Sequence, residues 1–383
     1  MRIGIFTNNY LPLQGGVGTS CEILRRGSRA LGHEPYVFAP RVPGYTDPAP
    51  EVFRYASIPA PTYPDFSLAI PFSPRIVRVV EALKLDVFHA QHPFLLGQAA
   101  RRLARRFDRP LIFTYHTRYE KYAHYVPFHR ALVERMATRR SVGFAAQADL
   151  VVAPSQPIRR FLESQGVRRP IAVLPTGVEV DLFVPGDRAL ARRALGLPLA
   201  NAILLSVGRL DREKSLDLLL TAFAHVAAEV PKALLLLVGQ GKEADRLRAL
   251  GRRLGCEDKI RFLGGRRREE LPTYYRAADL FLFTSQTETQ GLVLAEAAAC
   301  GLPAVAVRSW GVEETVRDGV TGFLTKPEAR ELADAAGRLL LDRAGCRTMG
   351  QRARELAERE FSADRQVARL LALYDRLRSR RPF

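Results

Sequence analysis

The sequence predicts an α/β protein made of two successive Rossmann-like, doubly wound domains that face each other across a cleft. Three observations carry this expectation. A chain of 383 residues exceeds what a single core ordinarily organises. Short apolar strands alternate with helical segments throughout, the pattern of parallel sheets covered by helices. The alternation breaks once, over residues 170–187 with Pro175, Gly177, Pro185 and Gly186, and then restarts.

In the first half, strands are expected at 2–7, 35–39, 86–91, 110–116, 150–153 and 171–174. The second half repeats the rhythm at 202–207, 233–238, 259–263, 280–284 and 303–307, and 362–380 reads as a final helix with no strand after it. The expected division is a first domain over 1–184, a second over 185–361, and a helix over 362–383 that returns to the first. Such sheets bind ligands beyond the C-terminal ends of their strands.

Composition narrows the function classes. The apolar share is 47%, yet no apolar run approaches the roughly 18 residues that cross a bilayer. The opening strand lacks the basic stub and cleavage site of a secretory signal, so a cytoplasmic location is expected. Cys21, Cys256, Cys300 and Cys346 have neither metal-ligand nor redox spacing and read as reduced packing residues. The formal charge of +18 favours anionic partners. It is shared by both halves, with 24 basic and 14 acidic residues up to position 186 and 34 and 26 after it.

Three loops carry candidate chemistry. After the first strand, Gly15, Gly16 and Gly18 precede a helix expected to start at Thr19 or Ser20 and end by Gly32. Backbone amides there could cradle a phosphate, although the spacing also suits a plain tight turn and matches neither the dinucleotide fingerprint nor a Walker loop. After 280–285 comes a polar loop, 286–290, and Gly291 opens a helix through Leu292, Val293 and Glu296 to Gly301. Free amides at its start suit a pyrophosphate or sugar hydroxyls. Glu288 precedes this helix and Glu296 lies within it, in an apolar run where a carboxylate needs a partner. Arg209 and Lys214 follow the strand 202–207, well placed to neutralise a diphosphate leaving group. Gly239 and Gly241, after the next strand, allow a ligand or a neighbouring element to come close.

Taken together and in order, GGVG at 15–18, GRLDREKS at 208–215, VGQGKE at 238–243 and SQTETQGLVLAEAAACGLPAVA at 285–306 resemble the retaining glycosyltransferases of family four, whose two-Rossmann-domain architecture is called GT-B. The resemblance implies that Arg209 and Lys214 hold the donor diphosphate and Glu296 the nucleotide ribose. It gives Glu288 and the amides of Thr289, Gln290, Gly291, Leu292 and Val293 to the transferred sugar and phosphates, with Gly15, Gly16 and Gly239 also donor-facing. His116, in TYHT at the end of a first-half strand, matches a histidine that reaches the reacting sugar. The stretch TYHTRYEKYAHYVPF at 114–128 and TETQG at 287–291 look more narrowly like the bacterial 1,2-diacylglycerol 3-glucosyltransferases. The implied reaction is α-linked transfer of a hexose from a nucleotide sugar, UDP-glucose first, to diacylglycerol. A GDP-mannose-dependent enzyme acting on a phosphatidylinositol-type or other lipid is the alternative, and a sugar-nucleotide epimerase a more distant one on the same fold.

A lipid acceptor requires docking on an anionic membrane surface, peripherally on the inner face of the cell membrane. Over 93–107 a helix is expected with Arg101, Arg102, Arg105 and Arg106 on one side, each adding about 1 kcal/mol of attraction near anionic headgroups. The segment 63–72, with Tyr63, Phe66 and Phe72 among prolines and no evident partner, is the candidate for insertion, and Tyr119 is placed with the acceptor. Direct same-face displacement is expected, without a cofactor or metal, because no Asp-x-Asp pair is present to carry one on the diphosphate. Nucleic acid is not an expected partner, since the basic residues are dispersed and no recognised binding module is visible.

Overall fold

Runs such as Ile3, Ile5 and Phe6 or 233–238 are too short and too apolar for surface helices, and they become strands covered on both faces. The computed structural model of the chain describes residues 1–13, 15–60, 63–120 and 130–379, with the side chains of 63–66 and 130 outside that description. It divides into two units, Met1–Gly177 with Ala363–Phe383, and Val178–Ser362. The first boundary thus falls after Gly177 rather than after residue 184.

The first unit runs β1 (Arg2–Phe6), α1 (Gly16–Ala30), β2 (Glu34–Pro40), β3 (Val52–Tyr55), β4 (Ser57–Ala60), β5 (Tyr63–Ala69), α2 (Pro74–Leu83), β6 (Val87–Ala90), α3 (Leu96–Arg106), β7 (Leu111–Thr114), α4 (Arg130–Ala145), β8 (Leu150–Ala153), α5 (Gln156–Ser164) and β9 (Ile171–Val173). Among the described residues its parallel sheet has the order β3-β2-β1-β6-β7-β8-β9. Alternation along the strands sends Phe6, Phe38, Phe88 and Phe113 into one core layer and Ile3, Ile5, Val37, Val87 and Ile112 into the other, as the two-residue period of a strand requires.

The second unit runs α6 (Arg188–Ala194), β10 (Ala202–Val207), α7 (Leu216–Glu229), β11 (Ala233–Val238), α8 (Ala244–Arg253), β12 (Ile260–Phe262), α9 (Leu271–Ala277), β13 (Leu280–Phe283), α10 (Leu292–Ala299), β14 (Ala304–Val307), β15 (Gly322–Thr325), α11 (Ala329–Leu341) and α12 (Arg343–Leu356). Its parallel sheet has the order β12-β11-β10-β13-β14-β15. The last helix, α13 (Ala363–Arg378), belongs to the first unit. Val367, Leu370, Leu371 and Tyr374 complete the layer that holds Cys21 and Leu24 of α1.

Several elements differ from expectation. Helix α1 begins at Gly16, earlier than Thr19. Strands β3 and β15 add an edge to each sheet. The segment 63–72 does have a partner, because β5 pairs antiparallel with β4. Prolines at 59, 61, 64 and 71 argue against a central strand but are tolerated in a two-stranded ribbon. No helix among the described residues is long and apolar enough to cross a membrane.

Candidate active site

In the second unit the strand order reverses between β10 and β13, and in open α/β sheets the crevice at such a switch point is where ligands bind. The loops that follow these two strands, 208–215 and 284–291, line a pocket that includes Gly208, Arg209, Lys214, Thr284 and Ser285. Glycine chemistry brings in a third loop. A Cβ at Gly239 would lie 1.7 Å from the Gly208 carbonyl oxygen, and one at Gly241 2.3 Å from that of Leu210. The room made by Gly239 is therefore filled by the neighbouring loop. Leu210 N–H donates to the Gln240 carbonyl (2.8 Å) and Glu243 N–H to that of Leu210 (2.9 Å), which locks the two loops together.

Both cations of the sequence motif point into this region already paired. The Arg209 guanidinium meets Asp211 at 2.6 Å and also pairs with Glu213. Both carboxylates are buried, at 3% and 6% exposure. The Lys214 ammonium lies 2.5 Å from Glu288 Oε1, and the same oxygen accepts from the Ser285 hydroxyl at 2.8 Å. Burial pushes the Glu288 carboxyl up, but the Lys214 charge, the bonds from Lys214 and Ser285, and Arg209 outweigh it and hold the group below the usual range. Opposite charge and hydrogen bonding to the ionised form together beat desolvation here. The backbone between these residues is tied down too, since Thr284 Oγ1 donates to the Lys214 carbonyl at 2.8 Å.

Gly291 stands at φ +80° just before α10, a left-handed conformation that favours glycine. The first turn of α10 presents the amides of Leu292 and Val293, groups that have no partner within a helix. Thr289 and Gln290 are buried and are buttressed from the loop after β14. Thr315 Oγ1 donates to the Gln290 carbonyl at 3.3 Å, and a Cβ at Gly311 would meet the Gln290 nitrogen at 2.3 Å.

Glu296, 2% exposed, sits in its own network. Arg268 Nη1 is 2.5 Å from Oε1, and the Tyr275 hydroxyl donates to Oε2 at 2.9 Å. Arg268 also donates to Glu179 at 2.8 Å, and its guanidinium lies 4.8 Å from the centre of the Phe183 ring. Burial pulls Arg268 down, while Glu296 and Glu179 hold it above its ordinary value. Burial, then Glu296, drives the Tyr275 phenol well up. Sequence reasoning missed Arg268 and Tyr275. The signal that pointed to them was the unexplained carboxylate on an apolar helix.

In the first unit the switch point falls between β1 and β6. Asn8, unremarked in the sequence, clamps the loop after β6. Its N–H donates to His92 Nδ1 (3.1 Å), its side-chain amide to the Phe94 carbonyl (3.1 Å), and its Oδ1 accepts from Leu96 N–H (3.1 Å). His116, just beyond β7, donates from Nε2 to Gln91 Oε1 at 2.6 Å. Gln91 is 1% exposed. Deeper in, the Tyr374 hydroxyl donates to His89 Nδ1 (2.5 Å) and His89 Nε2–H to Thr114 (2.7 Å). Burial holds all three imidazoles low, His89 at about 3, His92 at about 4 and His116 well below its ordinary value, so they are neutral near pH 7. At the loop of Gly15 and Gly16, a Cβ added to Gly16 would meet nothing within 4 Å.

The expected membrane-facing residues separate into groups. Phe72 is 70% exposed and stacks under the Arg102 guanidinium, 4.3 Å from its ring centre. Arg102 also donates to the Pro71 carbonyl at 2.7 Å. Arg101 and Arg105 both donate to Gln147, while Arg106 is exposed. The apolar face of α3, with Leu96, Ala100 and Leu103, is buried against the sheet. Tyr119 does not join the exposed patch. Its ring packs edge-on against Phe94 at 5.2 Å and Tyr115 at 5.9 Å. The side chains of Tyr63 and Phe66, and residues 121–128 of the stretch 114–128, lie outside the described residues. No group of His, Cys, Asp and Glu able to hold a metal is found among the described residues.

Comparison with known proteins agrees with this arrangement. The family described as Glycosyltransferase Family 4 matches residues 14–182, and that described as Glycosyl transferases group 1 matches 187–356. The chain is 32% identical over 348 residues to the alpha-monoglucosyldiacylglycerol synthase of Streptococcus pneumoniae, covering 89% of this chain and 78% of that protein. It is 39% identical over 306 residues to a D-inositol 3-phosphate glycosyltransferase of Geodermatophilus obscurus, covering 76% of this chain and 66% of that one. The structure of a sucrose-phosphate synthase from Thermosynechococcus elongatus superposes with a TM-score of 0.85 at 26% identity over 99% of both chains. Two parallel-sheet domains, a cation-bearing loop at the switch point of the second, and matches to the family over both halves make this chain a glycosyltransferase of family 4.

Proposed function

We propose that the enzyme moves a hexose, glucose from UDP-glucose, onto the free hydroxyl of diacylglycerol with retention of the α configuration. The observation that carries the reading is the pocket at the switch point lined by Arg209 and Lys214, with Glu288 paired to Lys214 and α10 opening at Gly291 three residues further on. Arg209 and Lys214 hold the diphosphate, Glu288 the sugar hydroxyls and Glu296 the ribose. Gly15 and Gly16 keep the donor-facing place, and His116 the contact with the reacting sugar, that the resemblance gives them. The acceptor oxygen attacks the anomeric carbon as its bond to the diphosphate oxygen breaks, and the acceptor proton passes to the departing diphosphate. Preorganised positive charge stabilises the charge that develops there. We assign no metal to this step. Turnover is expected to survive EDTA, and full loss in EDTA restored by manganese would contradict that assignment.

The choice of diacylglycerol is supported by the similarity to the pneumococcal synthase and by the exposed Phe72 beside the arginines of α3, which suits an anionic bilayer surface. A second reading has a soluble inositol phosphate as acceptor, and the 39% identity to the inositol phosphate enzyme favours it. Purified enzyme given a panel of radiolabelled sugar nucleotides, with either mixed anionic liposomes or inositol 3-phosphate, separates the two. Label in the lipid extract as an α-glucosyl lipid supports the first reading. Label in a glycosylated inositol phosphate, separated from unreacted sugar nucleotide by chromatography of the aqueous phase, supports the second.

A further inference from the structure

Carboxylates already meet both motif cations. Arg209 is matched by Asp211 and Glu213, and Lys214 by Glu288. Asp211 and Glu213 are buried and paired with Arg209, and Asp211 also accepts from Lys242 N–H at 3.1 Å. Glu288 differs from both. It is about as exposed as Lys214, at 20% and 19% of the side chain, and it occupies the ammonium that a diphosphate would need.

We propose that Glu288 is a specificity residue that discriminates against a bare nucleoside diphosphate. Bound to Lys214, it opposes any diphosphate that enters, because a like charge placed beside the ligand is unfavourable. A nucleotide sugar compensates, since its hydroxyls donate to Glu288 once the diphosphate has taken over Lys214. The departing nucleoside diphosphate has no such hydroxyls at that position and is released more readily. Ser285, which donates to the same carboxylate oxygen and is itself buried, keeps Glu288 in place during the exchange. This inference rests on the assignment of Arg209 and Lys214 to the donor diphosphate.

The test is calorimetric titration of the full chain with UDP, GDP and ADP, and with the sugar nucleotide of whichever base binds, in wild type, E288Q and K214M. Thermal melts report folding of each protein, and E288A stands in if E288Q is unstable. The expected result is that E288Q binds the nucleoside diphosphate about tenfold more tightly than wild type while binding the sugar nucleotide more weakly, so the preference inverts. K214M weakens both. If K214M weakens binding but E288Q leaves the nucleoside diphosphate within twofold of wild type or weakens it, the inference is overturned and the donor-site assignment stands. If no nucleoside diphosphate binds wild type, or K214M binds as tightly as wild type, the donor-site assignment fails and this inference with it.

Discussion

A carboxylate 2% exposed on an otherwise apolar helix is costly to ionise unless something meets it, and at Glu296 that something is Arg268 together with Tyr275. Removing one partner of a buried pair leaves the other uncompensated, which costs more than the pair is worth. Arg268→Met is therefore expected to destabilise the protein by about 3 kcal/mol, read as a lower urea midpoint with an unchanged slope. A loss below about 0.5 kcal/mol would show that the pair behaves as a surface ion pair. The need for a partner was legible in the sequence, but its identity was not. Arg266, Arg267 and Arg268 are consecutive, and nothing in their spacing tells which turns inward. The same holds for Asp211 and Glu213, which read as ordinary loop charges until the fold buries them and pairs them with Arg209.

At the scale of elements, the strand-to-helix rhythm was readable because parallel strands are continuous apolar runs and most are followed by an amphipathic or apolar helix. What escaped were the short pieces that carry weaker signals. Strand β15 spans only Gly322–Thr325, and β4 with β5 is interrupted by prolines that demote a strand on sequence grounds. The glycines after β11 were legible as a close approach, though not as an approach to the loop after β10. That contact makes a prediction. Gly239→Ala would put a Cβ 1.7 Å from the Gly208 carbonyl oxygen, so the two loops must part. A loss of at least about 2 kcal/mol is expected, together with a fall in donor affinity, both measurable by thermal melt and by nucleotide titration. An alanine variant with wild-type affinity would mean the loops separate without disturbing Arg209.

Over the whole molecule, the buried histidines of the first unit set the response to acid. His89, His92 and His116 are held neutral by burial, while in the unfolded chain each titrates near its ordinary value of 6.5. Below that value the unfolded chain binds more protons than the folded one, so stability rises with pH through this window. Their contribution is complete above about pH 6.5 and is lost as the pH falls toward about 4 for His92 and about 3 for His89. Each group adds a slope of up to about 1.4 kcal/mol per pH unit. Urea midpoints between pH 7.5 and 4.5 should fall most steeply below 6.5, and His89→Gln should flatten the curve. A midpoint that does not change over this range would mean the imidazoles are charged in the folded state. Dispersed positive charge, 58 basic against 40 acidic residues, should also make association with anionic vesicles weaken as salt is raised.

The central claim is that Arg209 and Lys214 neutralise the donor's diphosphate, and replacing both with alanine addresses it most directly. With the melting temperature checked against wild type, transfer of labelled sugar from the sugar nucleotide should fall by at least about a thousandfold. Transfer within about threefold of wild type in that doubly substituted protein would contradict the account.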